Sequence, residues 1–542
     1  MKRQVFFILA LAALSAACSQ RAVTATESNE LAGPLSEVQK PEGKRKDSAE
    51  QFDKWVNGKL TPEEIAALKE GCQKDPSENI FCSTINRGEA LEKRIRARNR
   101  VPKKPEPVNI RPSEIKIVDG KVQNWKKLKK EPVKSLLKGL LNFQLDDLQV
   151  LRKAATKEKK CPNNVAVTVA ATLEDFLPDR ANPRDIAGLY EKAADCLKKT
   201  DSDRETYYTR AGLLQYLNKQ YKVASFYFQR ATKVPNAYVA RPLYWLHRCH
   251  QEMNDKKGAD AALNQLWIKY PYAFHTLVAS TANNRDPGDR LKEAGASGIK
   301  RSKKVPALNV LIEQAEILKA GGYDSSAALL AEWAIGESWK AESDIRVYLA
   351  QLGDAQTKIT IASDIISRNP GQVSRPTLEL YFPKAFFPLF EKHSGSLDPF
   401  ILLSVARQES TLNEKAISPA NAQGLLQIHP DTGARVSGGS VDLLDPEQNV
   451  TVGARYLSEL LNKEENQIHM ALAAYNAGEE KLREWVRRYP TSDPILFTDL
   501  ISYRETRNYV AAVLRNYYWY RRLFSPATDL VTNVIDPSVA RR

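Results

Sequence analysis

Beyond its first seventeen residues the chain has no apolar run long enough to cross a bilayer. It carries no recognisable RNA- or DNA-binding motif, so its net charge of +15 points to an anionic partner without favouring nucleic acid. Anionic lipid and an acidic cell-wall polymer remain, and exposed linkers account for part of the charge. Cysteine and histidine are scarce, at six each. The one place where they crowd together, His247, Cys249 and His250 in "LHRCH", has no second ligand cluster at zinc-finger spacing, and it reads as one turn of a helix. At 542 residues the chain is too long for a single hydrophobic core, so several domains are expected.

The N-terminus carries the compartment signal. Lys2 and Arg3 precede an apolar run, Val5 to Ala17, of secretory-signal length. It ends in "LSAACS", which resembles a bacterial lipoprotein box with Cys18 as the first mature residue. Ordinary cleavage after Ala17 is the alternative; a cysteine directly after a small-residue site favours lipidation. Ser19 next to it suits sorting to the outer membrane. The expectation is a periplasmic chain held to that membrane through Cys18. Among the remaining cysteines, Cys72 with Cys82 would close a short loop and Cys161 with Cys196 a longer one, leaving at least one thiol over.

Residues 18–50 are polar, with the basic run "GKRK", and read as the lipidated cysteine and a flexible tether. "LTPEEIAALKEG" follows as a short helix: Thr61 caps it, Pro62 fits the first turn, Glu64 completes a capping box and Gly71 ends it. Residues 51–130 are thus a small helical region and a basic linker. Residues 131–380 read as nearly all helical. In "YTRAGLLQYLNKQYKVASFYFQRA", Tyr208, Gly212, Ala224, Phe228 and Ala231 fall where a tetratricopeptide repeat places its packing residues. Looser units end in "GADAALNQLWIKYP" and "GGYDSSAALLAEWA". The fold class is therefore mainly α, with a superhelix of helix pairs that offers a curved surface to an extended ligand or to partner enzymes, or serves as a plain scaffold.

The C-terminal part carries the chemistry. "SLDPFILLSVARQES" opens with Asp398 as cap and Pro399 in the first turn. Three, four and seven residues before Glu409 stand Ala406, Val405 and Leu402, so Glu409 shares the apolar stripe. Burial there would raise its carboxyl pKa, as a general acid near neutral pH requires. The other reading, a glutamate escaping to solvent at the helix end, is equally open from this helix alone. "SPANAQGLLQIHP" follows as a turn-rich loop. "LLDPEQNVTVGARYLSELL" is a helix opened by Asp445-Pro446 with a buried stripe of Val450, Gly453, Ala454, Leu457, Leu460 and Leu461. "HMALAAYNAGEEKL" ends a helix at Gly478, with Tyr475 and Asn476 just before the break, and "ISYRETRNYVAAVLRNYYWYRRLF" is a last amphipathic helix.

Together "ARQES", "SPANAQGLLQIHP", "LLDPEQNVTVGARYL", "AAYNAG" and "ETRNYV" resemble the soluble lytic transglycosylase family, in order and spacing, over roughly Pro388 to Phe524. The resemblance implies a lysozyme-like catalytic domain (381–525, before a tail of 526–542) acting on peptidoglycan strands. It implies Glu409 as the single acid/base, and Ser418, Gln427, Tyr475, Asn476 and Glu505 as substrate-binding residues, with Glu505 in a supporting role. It implies no metal and no organic cofactor. Gln423, Leu426, His429, Ser502 and the "EEKL" after Gly478 depart from the family pattern and bear on glycan preference. No second acid near Glu409 fits a family role, which agrees with a one-carboxylate route where ordinary glycosidases use two. A lysozyme-like hydrolase on the same fold, or a non-catalytic cell-wall-binding scaffold, are the competing readings.

Overall fold

The computed structural model describes residues 31–32, 40–77, 79–98, 110–283, 287–290, 299–300, 306–337, 343–368 and 373–525. The signal segment, Cys18 and the tail 526–542 lie outside the described residues. The architecture is mainly α, with 27 α-helices among the described residues and only two-residue strands between them. None of these helices is long and apolar enough to cross a membrane.

The described residues divide into two compact units that interleave along the chain. One draws on the described residues within 1–104, 291–391 and 409–450, the other on those within 105–290, 392–408 and 451–542. These units cut across the linear boundaries expected from the sequence, since each takes residues from both sides of residue 380.

In the first unit the core gathers around Phe52, Trp55, Phe81, Leu311, Leu318 and Trp333. Phe52 and Phe81 stack with centroids 4.6 Å apart. This core explains one departure from expectation. The "GKRK" run read as tether is the start of a helix, Lys44–Val56, because Ala49, Phe52, Trp55 and Val56 give that helix a buried face. The capping box of the next helix is present, with Glu64 N–H donating to Thr61 Oγ1 and Thr61 N–H to Glu64 Oε2. That helix runs past Gly71 to Lys74, and Cys72 within it joins Cys82. Gly71 lies inside the helix with open space around it, so nothing local stops the chain there. The third repeat-like unit is the pair Pro306–Ala320 and Asp324–Glu337, packed together.

In the second unit, consecutive helices Pro183–Cys196, Ser202–Leu217, Tyr221–Thr232, Ala240–Glu252 and Lys256–Lys269 each pack on the next. The small-and-large pattern has its expected cause: a Cβ on Gly212 would lie 2.6 Å from the Phe228 ring, so only glycine lets that pair close. Cys161 joins Cys196. Cys249 is a buried free thiol whose pKa burial pushes well up, which leaves it inert. "LHRCH" is helical, as expected, with His247 Nδ1 2.9 Å from Ala259 O. Among the described residues no group of three or more His, Cys, Asp or Glu is arranged to hold a metal ion.

Candidate functional site

Glu409 is the last residue of the helix Pro399–Glu409. Asp398 caps the start, accepting from Phe400 N–H at 2.9 Å, and its other oxygen accepts from Tyr517 at 2.8 Å and from Arg521. Leu402, Val405 and Ala406, the residues beneath Glu409 on its stripe, are fully buried, while Glu409 itself is half-buried. The helix stops at once because Thr411 and Leu412 both take left-handed φ, 54° and 62°. A β-branched residue in that region is strained, and such strain concentrates where geometry serves a purpose.

The loop after Glu409 is tightly pinned. Ile417 pairs with Gln423, and Gln423 with Ile428, as short antiparallel bridges. Ser418 Oγ accepts from Ala422 N–H at 2.9 Å, so the hydroxyl hydrogen is left to donate elsewhere. Gln427 sits at φ 48°. Its amide nitrogen donates to Ala416 O at 3.0 Å and to Gly424 O at 2.9 Å. Both of those partners are carbonyls, so the NH₂ group must face the loop and Oε1 is turned away from it. The structure therefore brings Glu409, Ser418 and Gln427 into one unit.

Tyr475, Asn476 and Glu505 belong to the other unit. Tyr475 and Asn476 stand in the last turn of Ile468–Ala477, which stops at Gly478 with φ 89°. Both are half-buried. The Tyr475 ring lies 5.2 Å from that of Tyr456. Asn476 Oδ1 accepts from Thr506 Oγ1 at 2.7 Å. Glu505, one residue before Thr506, is exposed in the first turn of Arg504–Phe524, and crowding by the protein on one side still raises its carboxyl pKa. Arg507 is buried and donates to Ile501 O at 2.7 Å; burial first, then the Arg241 and Arg210 guanidiniums, lower its pKa to about 9.

Residues 389–497 match the family model described as Transglycosylase SLT domain. That span is an SLT domain. Curated relatives agree over much the same region: the soluble lytic murein transglycosylase of Escherichia coli (strain K12) is 36% identical over 166 residues, 29% of this chain and 26% of its own length. That of Salmonella typhimurium is 34% identical over 167 residues, again 29% and 26%. A membrane-bound lytic murein transglycosylase F from Yersinia enterocolitica is 43% identical over 101 residues, 17% of this chain and 20% of its own length. The chain thus matches only about a quarter of the length of these relatives. In fold the likeness is wider: the lytic transglycosylase Slt of Pseudomonas aeruginosa has a TM-score of 0.55 at 18% identity, covering 91% of this chain and 80% of its own. The 70 kDa soluble lytic transglycosylase of Escherichia coli has a TM-score of 0.51 at 18% identity, covering 92% and 89%.

The SLT span contains Glu409, Ser418, Gln427, Tyr475 and Asn476, and Glu505 to Arg507 lie beyond its end. Sequence reasoning chose the acidic residue of "ETR" and passed over the threonine next to it, which reaches Asn476. Reading passed over Asn449 as well. Its signal was present: Asn449 lies four residues before Gly453 and eight before Leu457, on the buried stripe of its helix, where a polar side chain needs partners.

Proposed function

We propose that this chain is a peptidoglycan lytic transglycosylase that cleaves the bond between N-acetylmuramic acid and N-acetylglucosamine and leaves 1,6-anhydro ends. The observation that carries the reading is Glu409 at the end of a buried helix, inside the SLT span and directly before the pinned Ser418–Gln427 loop. The outward carbonyls of a helix C-terminus disfavour an anion beside them, which suits a carboxyl that must hold a proton until substrate arrives. Protonated Glu409 gives its proton to the glycosidic oxygen as the C1–O bond breaks, and the substrate's acetamido oxygen supports the positive C1. The Glu409 carboxylate then takes the proton of the muramoyl C6 hydroxyl, and O6 closes on C1. One carboxyl serves as acid and then as base, and no water is consumed.

Ser418 has a hydrogen to donate to a sugar oxygen, and Gln427 an amide oxygen to receive a sugar N–H or O–H. Tyr475 and Asn476 bind glycan, Asn476 held by Thr506, and Glu505 plays a supporting part. The positive charge of the chain favours an anionic polymer, and this attraction weakens with salt. Lipidation at Cys18 would hold the enzyme on the periplasmic side of the outer membrane beside its substrate. The helix pairs are a surface for glycan or for other cell-wall enzymes.

The test is mass spectrometry of purified sacculi digested by the wild-type chain and by Glu409→Gln. Products lighter by one water than hydrolytic muropeptides are expected, with turnover in the variant lower by roughly a thousandfold or more. Reducing ends instead would make the enzyme a muramidase. Unchanged turnover in Glu409→Gln would remove Glu409 from the mechanism.

A further inference from the structure

One buried side chain holds the glutamine loop from outside it. Asn449 stands in the first turn of Pro446–Lys463 and has no exposed surface. Its Oδ1 accepts from Leu426 N–H at 2.8 Å, and its Nδ2 donates to Gln423 O and to Leu443 O, each at 2.9 Å. All three contacts go to backbone groups, so the buried amide has its own hydrogen-bonding atoms satisfied. The glycine of the loop is fitted to this amide. Gly424 has φ +74°, and a Cβ there would lie 2.2 Å from Leu443 O and 2.3 Å from Asn449 Nδ2. The amide therefore grips the loop at Gln423 and at Leu426, on either side of Gly424. Gln427 comes one residue later in its left-handed conformation, and its N–H returns to Gly424 O at 3.2 Å.

We propose that Asn449 is a positioning residue for glycan binding: it sets the backbone of Gln423–Leu426 and thereby aims Gln427. The proposal rests on the reading of Gln427 as a glycan-binding residue. The chemistry of the contact is selective. The task needs one acceptor and two donors in a single plane, which an asparagine amide provides. Aspartate has nearly the same shape but sets carboxylate oxygens against the carbonyls of Gln423 and Leu443. Alanine removes all three contacts at once.

The experiment uses the full chain carrying Glu409→Gln, so that the probe, a soluble chito-oligosaccharide, is not cut. Asn449→Asp, Asn449→Ala, Gly424→Ala and Gln427→Ala are each added to it. Hydrogen exchange by mass spectrometry follows residues 416–428, and calorimetry gives the affinity. Expected are faster exchange confined to that segment in both Asn449 variants and at least a tenfold weaker affinity, matching Gln427→Ala. In the otherwise wild-type chain the loss should fall on KM more than on kcat. Faster exchange with unchanged affinity, while Gln427→Ala does weaken binding, would overturn the positioning role. Unchanged affinity in Gln427→Ala itself would instead overturn the reading of the loop. If the Asn449 variants unfold, Gly424→Ala displaces the same contact from the loop side, and unchanged affinity there would also overturn the proposal.

Discussion

The two compact units use buried polarity differently. The first relies mostly on apolar packing and neutral hydrogen bonds; its buried carboxylate Glu316, 6% exposed, is met by a hydroxyl, that of Tyr348. In it Gln314 donates to Ile80 O at 2.6 Å and to Ser83 at 3.1 Å, and ion pairs such as Lys69–Glu92 and Arg346–Asp364 keep both side chains partly in water. The second buries carboxylates against cationic partners. Glu174, 2% exposed, receives Arg210, Tyr190 and Tyr489. Asp499, 0% exposed, receives Arg241 at 2.8 Å, His275 at 2.8 Å and Trp245 at 2.7 Å. The lesson is one of cost against selectivity. A buried ion pair adds little net stability over a well-packed apolar one, yet losing one partner is severe. Helices 163–281 meet the segment carrying Tyr489 and Asp499 through these charges, each of them a key contact whose loss strands its partners.

The largest effect is expected where a key is removed. Asp499→Ala strands Arg241, His275 and the Trp245 N–H, and should lower stability by about 3–5 kcal/mol. Lys69→Met in the first unit should change it by less than about 1 kcal/mol. Urea unfolding followed by tryptophan fluorescence measures both, and equal losses would erase the contrast.

An intermediate effect sharpens the contrast by pH. His469 is 4% exposed, and burial lowers its pKa to about 4. The unfolded chain then binds a proton that the folded chain refuses. Its contribution is complete above the ordinary histidine pKa of about 6.5 and falls as pH drops through the window from 6.5 to 4. Between pH 7 and 5 the wild-type should lose roughly 2 kcal/mol more than His469→Leu. Parallel pH slopes for the two chains would contradict this.

A small effect is also expected at a helix cap of the first unit. Thr61→Ala removes a neutral cap and should cost about 1 kcal/mol. A loss as large as that of Asp499→Ala in the same urea experiment would show that the first unit also hangs on single polar contacts.

What could be read from the sequence was local. Thr61 with Glu64, Asp398 with Pro399, Asp445 with Pro446, and Gly478 each mark a helix end within a few residues, and each stands where read. The apolar stripe beneath Glu409 was legible for the same reason. "GKRK" misled because its helix is set by Phe52 and Trp55, further on than the charge run. Gly71 misled because a glycine with helical neighbours on both sides need not end anything. Asn449, Thr506 and the partners of Asp499 were hidden for another reason: their roles are defined by groups elsewhere in the chain, and nothing near a residue in sequence names its distant partner.

The interleaving has a consequence for the order in which the molecule is made. Glu174 and Tyr489 are 315 residues apart, and Arg210 and Leu500 are 290 apart. At a synthesis rate of about 5–20 residues per second, the first helices wait tens of seconds for their counterparts. Glu174 and Arg210 have each other through that interval, but Arg241 and His275 still lack Asp499, and contacts that join such distant residues form slowly. A holding factor that binds nascent or exported chains would find this stretch open until the last hundred residues arrive.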